Sequence, residues 1–257
     1  MVLAYGESPY LEDCVKSLLA QRVKSRILLS TSTPNDHIKD IAARYDLPLI
    51  VNPERLGIAG DWNFALKNCP TQLCTLAHQD DLYYPGYTES LLPRMEGASL
   101  GFCDYEELLN GVPRPATAMM KIKRVLLTPA RLFPSLNTRG LRRSVLRFGS
   151  AICCPSVMYN RAYLADFTFD GGYKVSLDWD AWLRIADLPG AFVFAPAVQM
   201  AHRIHEDSET TRQIAAAGRL REDREMFSRL WPDWIAGLLA RLYNRSTDFN
   251  AVGEEKA

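Results

Sequence analysis

Residues 73–85 read LCTLAHQDDLYYP, an apolar run of five residues that ends in a polar turn with two adjacent acids. Short apolar runs bounded by turn residues are typical of buried strands. Similar runs occur earlier, at residues 2–5 (VLAY), 27–29 (ILL) and 49–51 (LIV). Because helical patterns separate these runs, we predict right-handed βαβ crossovers and an α/β fold with a Rossmann-like, mainly parallel sheet flanked by helices.

Three helices are predicted between these strands, from apolar residues at helical spacing. The first spans residues 9–19, with Ser8 as its N-cap and Pro9 at its first position. The second covers residues 38–45, and the third starts at residues 61–66. Each predicted helix therefore follows a predicted strand in the chain.

Composition describes an ordinary globular protein. The 257 residues are 47% hydrophobic and 23% charged, which excludes a disordered, collagen-like or coiled-coil chain. Thirty basic residues balance thirty acidic ones, so the net charge indicates no partner. No apolar run reaches 18 residues, and the N-terminal MVLAYGES has no signal-peptide pattern. The six cysteines form no CxxC pair, which favours buried free thiols and a cytoplasmic location.

The carboxyl ends of the predicted strands are where an open α/β sheet binds its ligands. Four stretches lie there: residues 5–7, 30–35, 52–60 and 78–81. In the last of them Asp80 and Asp81 are adjacent, and two neighbouring carboxylates repel each other unless a cation lies between them. Mg²⁺ and Mn²⁺ bind carboxylate and phosphate oxygens together. The pair alone is equally consistent with a helix cap.

Several further motifs occur in a fixed order along the chain. They are AY (4–5) with SLLAQ (17–21), NPERLG (52–57) with DWN (61–63), HQDD (78–81) with Pro85, LDWDAWLR (177–184), and RIHEDSET (203–210). In this order and over residues 2–211 they resemble the family 2 glycosyltransferases, which have the GT-A fold. The resemblance implies a catalytic domain over residues 1–210, followed by C-terminal helices and a tail over 211–257.

The resemblance implies an inverting, metal-dependent glycosyltransferase that moves a sugar from a nucleoside diphosphate to a hydroxyl of a glycan or lipid-linked acceptor. Asp178 matches the catalytic base, with Asp180 as an alternative, and we expect nearby cations to keep Asp178 ionised. Asp80, Asp81 and His205 are the expected ligands of Mn²⁺ or Mg²⁺, although His205 also fits a surface histidine. The donor is expected to be a UDP- or dTDP-sugar.

The matching positions also predict residues that bind substrate. They are Tyr5, Glu7, Ser30, Thr31, Gly57, Asp61, Asn63, His78, Asp80, Trp179 and Arg203. Two departures from the family pattern concern this set. Residues 30–33 (STST) replace the acidic pair that reads the nucleotide base, and His78 replaces the first acid of the metal motif. His78 is therefore either a contact of the donor or a structural histidine.

Residues 108–165 contain ten basic residues and no acid. Several prolines argue against one continuous helix, so we interpret the segment as a mobile basic loop over the cleft. Such a loop suits an anionic acceptor or an anionic membrane surface, and the alternative is a solvated basic face. Nothing else in the chain resembles a nucleic-acid-binding motif.

The C-terminal residues predict two amphipathic helices separated at Trp231–Pro232. Packing on the core is the expected role, with a homodimer contact or a peripheral position at the inner face of the membrane as alternatives. Two other functions also remain open. One is a catalytically inactive partner protein that binds sugar nucleotides, and the other is a sugar-nucleotide pyrophosphorylase. The single glycine in residues 5–9 counts against the pyrophosphorylase, which needs a glycine-rich phosphate loop.

Overall fold

The computed structural model describes residues 1–205 and 216–253. Its N-terminal elements are, in chain order, β1 (Val2–Leu3), α1 (Leu11–Leu19), β2 (Leu29–Thr31), α2 (Asp36–Arg44), β3 (Leu49–Val51), α3 (Gly57–Lys67), β4 (Leu73–Thr75), β5 (Ala77–His78) and β6 (Leu82–Tyr83). The first sheet has the order β3-β2-β1-β5, and all of its strands are parallel. The predicted α/β architecture with a parallel sheet is thus confirmed.

A second, mixed sheet lies beside the first. Its strands and the remaining helices are α4 (Tyr87–Leu91), β7 (Ala98–Leu109), β8 (Val112–Pro113), α5 (Ala118–Leu126), α6 (Thr128–Leu132), α7 (Arg139–Ser144), β9 (Met158–Asn160), α8 (Leu177–Ile185), β10 (Ala191–Ile204), α9 (Ala216–Ser228) and α10 (Asp233–Gly253). The strand order is β4-β9-β7-β10-β6, with β8 paired to β7. The long strands β7 and β10 run parallel, and the other pairs are antiparallel.

Three local predictions were wrong. The strand expected at residues 73–77 divides in two, because β4 pairs with β9 in the second sheet while β5 pairs with β1 in the first. Helix α3 begins at Gly57 rather than Asp61, and the φ of 73° at Gly57 is a left-handed conformation that favours glycine. Ser8 does not cap α1, which begins at Leu11; the Ser8 Oγ instead accepts a hydrogen bond from the Tyr10 N–H at 3.3 Å.

The basic segment 108–165 is not a loop over the cleft. It contains α5, α6 and α7, and most of its arginines have partners. Arg114 pairs with Glu107, Arg124 and Arg131 with Asp104, Arg139 and Arg143 with Asp187, Arg161 donates to backbone carbonyls, and Arg147 lies over the Trp231 ring. The acids Asp104, Glu107 and Asp187 lie outside the segment, so a count of the charges within it did not include them.

Helices α9 and α10 pack on the core, as predicted. Phe227 and Tyr243 contact the buried Trp179 ring, with centroids 4.9 and 5.7 Å away. Met226 and Ala236 are also fully buried. The predicted boundary between residues 210 and 211 lies outside the described residues, and so do residues 206–210 of the last motif.

The cysteines are all free, as predicted; four are buried and two are half-buried. Across the described residues, no helix combines the length and the apolar character that a membrane crossing requires.

Candidate active site

The carboxyl ends of the parallel strands meet at one edge of the first sheet. Tyr5, after β1, and Gln79, after β5, exchange two hydrogen bonds: the Tyr5 N–H donates to Gln79 Oε1 at 2.8 Å, and Gln79 Nε2 donates to the Tyr5 carbonyl at 3.0 Å. The Gly6 N–H donates to Thr33 Oγ1 at 2.8 Å, which ties β1 to the end of β2. The Tyr5 side chain itself is 59% exposed, and Glu7 beside it is exposed.

Asp61 lies at the same edge and joins the ends of β2 and β3. Its Oδ2 accepts a hydrogen bond from Ser32 Oγ at 2.8 Å, and its Oδ1 accepts one from Asn52 Nδ2 at 3.0 Å. Arg55 Nε donates to the Ser32 carbonyl at 3.1 Å. Helix α3 therefore brings a carboxylate to the position after β2, where the sequence has no acid.

The two other residues predicted at the end of β2 lie deeper. Ser30 and Thr31 belong to the strand and are 3% and 2% exposed. Thr31 Oγ1 accepts a hydrogen bond from the Thr33 N–H at 3.0 Å. Ser32, which the sequence did not single out, is the residue whose side chain reaches Asp61.

Asn63 and Gly57 both shape helix α3. The Asn63 side chain donates to the Phe169 carbonyl at 2.9 Å and accepts from the Phe169 N–H at 2.7 Å. Its amide thus fastens α3 to the segment before α8. Gly57 begins the helix and is exposed.

Three side chains, at the end of β5 and directly after it, form a cluster with the composition of a metal site. His78, Asp80 and Asp81 each offer a ligand atom, and these atoms lie within 4.8 Å of one another. Asp81 is fully buried, and its Oδ2 has no hydrogen-bond partner among the described residues. The buried Nε2 of His78 has none either. Buried polar atoms are almost always satisfied, so the orphaned Asp81 Oδ2 in this cluster points to a bound group.

The last strand of the second sheet holds this cluster in place. Asp81 Oδ1 lies 2.8 Å from His202 Nδ1 and accepts the Arg203 N–H at 3.0 Å. His205 Nε2 lies 3.0 Å from Asp80 Oδ2. The sequence thus correctly associated His205 with the acidic pair but missed His202. His202 and His205 are three residues apart, and residues at that spacing in a strand point to opposite faces of the sheet. The sequence pattern therefore offered no reason to place both histidines at one site.

The pKa values of His78 and His202 are shifted in opposite directions by burial and by nearby charge. Burial lowers the pKa of His78, which keeps its ring neutral and able to bind a metal. Burial also opposes the charged form of His202, yet the adjacent Asp81 raises its pKa to about 9. For Asp80, burial opposes ionisation, but His78 and the hydrogen bond from His205 hold its pKa below the usual value. The Trp62 ring lies 5.3 Å from the His78 ring, a contact the sequence did not indicate.

Arg203 is 7% exposed and spans several groups at the edge of the cluster. Its Nε donates to the Asp80 carbonyl at 3.0 Å, and its guanidinium lies 4.4 Å from the centre of the Tyr10 ring. Asp13 Oδ2 lies 3.8 Å from its Nη2. Arg203 therefore positions the backbone of the acidic pair and adds a positive charge beside it.

Asp178 lies in the first turn of α8, near the same cluster. Its Oδ1 accepts the Trp179 N–H at 2.6 Å, and its Oδ2 accepts Ser150 Oγ at 3.2 Å. Burial raises the pKa of Asp178, and Lys123 is the main group that opposes this. In the chain without a bound cation, burial thus outweighs Lys123, and ionisation of Asp178 beside a bound metal stays a prediction. The Asp178 carboxylate also acts on the pKa of His78, which places both groups in one electrostatic environment.

The two neighbours of Asp178 have structural roles. Asp180 is 2% exposed and accepts Arg184 Nε at 2.9 Å and Arg229 Nη1 at 2.6 Å, so it joins α8 to α9. Asp180, the alternative candidate for the base, thus braces the two segments that carry these arginines. Trp179 is 1% exposed and packs against α9 and α10, so its ring is not presented to a substrate, contrary to the prediction that it binds one.

Comparison with solved structures shows the GT-A fold. Staphylococcus aureus TarS (residues 1–349) in complex with UDP-GlcNAc has a TM-score of 0.65 at 14% identity, over 93% of this chain and 69% of that one. The mannosyltransferase PcManGT from Pyrobaculum calidifontis, in complex with GDP-Man and Mn²⁺, has a TM-score of 0.61 at 15% identity, over 95% and 68%. Glucosyl-3-phosphoglycerate synthase from Mycobacterium tuberculosis has a TM-score of 0.54 at 15% identity, over 89% and 78%.

Sequence comparison adds the family. No curated protein matches the chain. The profile of Glycosyl transferase family 2 matches residues 1–166, which include the whole first sheet and the acidic cluster. The chain belongs to glycosyl transferase family 2, and it is a glycosyltransferase with the GT-A fold.

Proposed function

We propose that the protein transfers a sugar, with inversion, from a nucleoside diphosphate to a hydroxyl of a glycan or lipid-linked acceptor, and that it requires a divalent cation. The observation that carries the proposal is the cluster after β5. Asp81 Oδ2 is a buried ligand atom that no described residue satisfies by a hydrogen bond, and His78 and Asp80 offer further ligand atoms close to it. An anionic donor would reach this cluster at the edge of the sheet where open α/β folds bind ligands.

The donor set fits Mn²⁺ or Mg²⁺. Carboxylate oxygens suit both ions, and a neutral imidazole suits Mn²⁺. Asp80 and Asp81 would hold the ion, with His78 as the third ligand; His205, 3.0 Å from Asp80, is the alternative. When bound, the cation supplies a Lewis acid that neutralises the departing diphosphate. His202 and the Arg203 N–H fix the Asp81 carboxylate by its other oxygen.

Asp178 would be the catalytic base. In a single displacement, the acceptor hydroxyl attacks the anomeric carbon, its proton passes to the Asp178 carboxylate, and the bond to the diphosphate breaks. Burial raises the pKa of Asp178 towards the working pH, which favours proton uptake in the transition state. Ser150 and the Trp179 N–H orient the carboxylate.

The nucleotide would lie along the ends of β1, β2 and β3. Asp61, held by Ser32 and Asn52, offers carboxylate oxygens that suit the imide N–H of uracil or thymine, so we favour a UDP- or dTDP-sugar. The complexes of TarS with UDP-GlcNAc and of PcManGT with GDP-Man support a nucleotide-sugar donor. Tyr5, Glu7 and the exposed Gly57 lie along the same edge, where they would border the nucleotide.

The test is hydrolysis of donor sugars without acceptor. The purified protein would be incubated with UDP-, dTDP- and GDP-sugars, with Mn²⁺ and with EDTA, and the released nucleotide measured. We expect metal-dependent release, lost in Asp80→Ala and Asp81→Ala and retained in Asp36→Ala, whose side chain is 93% exposed and pairs with Lys39. Full activity in excess chelator would refute the requirement for a divalent cation. Nucleotide binding without turnover of any donor or acceptor would favour the inactive partner protein.

A further inference from the structure

Helix α10 leaves an apolar stripe on its outer side. Trp234, Leu238 and Leu242 are 75%, 55% and 52% exposed. Their spacing of four residues places them along one face of the helix. Leu220 on α9 is also exposed, at 38%. Contiguous exposed apolar side chains mark interaction surfaces, whereas isolated ones do not.

A groove of about 550 Å³ lies between the two helices beside this stripe. Leu220, Trp234 and Leu238 provide its apolar lining, and Arg221, Arg224 and Arg241 provide its basic rim. Asp233 is the one acid among the described residues that line it. All three arginines are exposed, and no carboxylate in the described part of the chain pairs with them. The surface formed by these seven residues and Leu242 is called the C-terminal face below.

We propose that the C-terminal face docks on an anionic lipid bilayer. Its composition suits the boundary of a membrane: the tryptophan suits the headgroup region, the leucines the upper acyl chains, and the arginines the anionic phosphates. In a symmetric dimer the same face would meet itself and bring two sets of three arginines together. Charge therefore favours a lipid surface over a second copy of the chain.

The basic segment 108–165 is less suited to contact an anionic membrane than the C-terminal face. The sequence suggested it as the membrane-facing part, but its arginines are mostly paired with acids, and Arg142 is buried against carbonyls. On α9 and α10, by contrast, three exposed arginines that pair with no described carboxylate lie beside exposed apolar side chains. The inference thus transfers the membrane contact from one part of the chain to another.

Docking would also place the active site at the membrane surface. Phe227 of α9 and Tyr243 of α10 pack directly on Trp179, the residue after the proposed base. A lipid-linked acceptor would then be presented near the helix that carries Asp178. This consequence rests on the proposed function, whereas docking itself does not.

The experiment is co-sedimentation with vesicles of phosphatidylcholine, with and without phosphatidylglycerol. We expect binding to the anionic vesicles, weakened by salt. Replacing all three arginines (Arg221→Gln, Arg224→Gln, Arg241→Gln) should lower the partition coefficient by about 10²-fold. Replacing the apolar pair (Trp234→Ser, Leu238→Ser) should lower it by about tenfold or more.

Matched controls lie elsewhere on the surface. Leu132→Ser changes a leucine that is 72% exposed, and the triple variant Lys24→Gln, Arg26→Gln, Lys67→Gln removes three exposed cations. Both should bind vesicles as the unaltered protein does. Because Trp234 is by far the most exposed of the five tryptophans, vesicles should shift the fluorescence to the blue, and Trp234→Phe should abolish most of the shift while retaining binding.

Three results would overturn the proposal. One is equal binding to neutral and anionic vesicles, and another is unchanged binding in both sets of variants. The third is a dimer, measured by light scattering, that dissociates when Trp234 and Leu238 are replaced while the protein binds no vesicles. None of these depends on sugar transfer, so failure of docking leaves the proposed function standing.

Discussion

Replacing Arg142 with methionine should destabilise the protein and leave acceptor binding unchanged. The side chain is 6% exposed, and its guanidinium donates to four backbone carbonyls. Nε bonds to Ala186 at 2.9 Å, Nη1 to Asn137 at 3.1 Å and to Gly190 at 2.5 Å, and Nη2 to Leu188 at 3.1 Å. Arg142 thus stabilises the turn between α8 and β10 by hydrogen bonds to its carbonyls.

The magnitude follows from what the substitution leaves behind. A hydrogen bond to a charged group is worth about 1.5–3 kcal/mol, and here four carbonyls lose their donor. Part of this loss of stability is offset, because burial of the charged arginine is itself unfavourable. Burial lowers the pKa of Arg142, which reflects that cost. We expect a net loss of about 3–5 kcal/mol, which lowers Tm by roughly 6–20 °C in a domain of this size.

Thermal unfolding followed by circular dichroism measures this effect. Lys121→Met is the matched control, since Lys121 is an exposed cation of the same segment, and its Tm should change little. Below its own transition, the Arg142 variant should retain the acceptor KM of the unaltered protein. Equal Tm values for the two variants, or a raised acceptor KM with normal stability, would refute the structural role of Arg142.

Three further substitutions test the framework. Asp180→Asn removes the partner of Arg184 and Arg229, both partly exposed, so we expect a loss of about 2–3 kcal/mol in urea unfolding; an unchanged midpoint would exclude the bracing role. Burial raises the pKa of Asp223 to about 6, so it should contribute about 3 kcal/mol below pH ~4 that disappears as the pH rises to ~6. Asp223→Asn should abolish that slope, and an identical pH profile would contradict the raised pKa. Gly57→Ala forces an L-residue to a φ of 73° and should cost about 1 kcal/mol or more by denaturant unfolding; an unchanged free energy of unfolding would contradict the strain.

The sequence predicted the parallel half of the fold because period and turn residues are local signals. Strand β3 at residues 49–51 and helix α2 agree closely with their predicted positions. The pairing of β4 and β5 with strands of different sheets was beyond such reasoning. Their partners, β9 and β1, lie on opposite sides of them in the chain, and only the assembled sheets decide between them.

The candidate site was predictable where one motif carries several candidate ligands. Asp80 and Asp81 are adjacent in sequence, and the structure gathers them with His78. Long-range packing decided the rest. Trp179 follows Asp178 in a motif but is covered by the C-terminal helices, and the arginines of residues 108–165 find their acids outside that segment.

Sugar transfer by the Asp178→Asn variant tests most directly the central claim that Asp178 is the catalytic base. The substitution keeps the shape of the side chain and removes its basicity. With a saturating nucleotide sugar, Mn²⁺ and acceptor, single-turnover transfer should fall by about 10²–10⁴-fold, while donor Kd, measured by calorimetry, stays nearly constant. Asp36→Asn should transfer at the normal rate. Transfer by Asp178→Asn at the rate of the unaltered protein would contradict the assignment of Asp178 as the base.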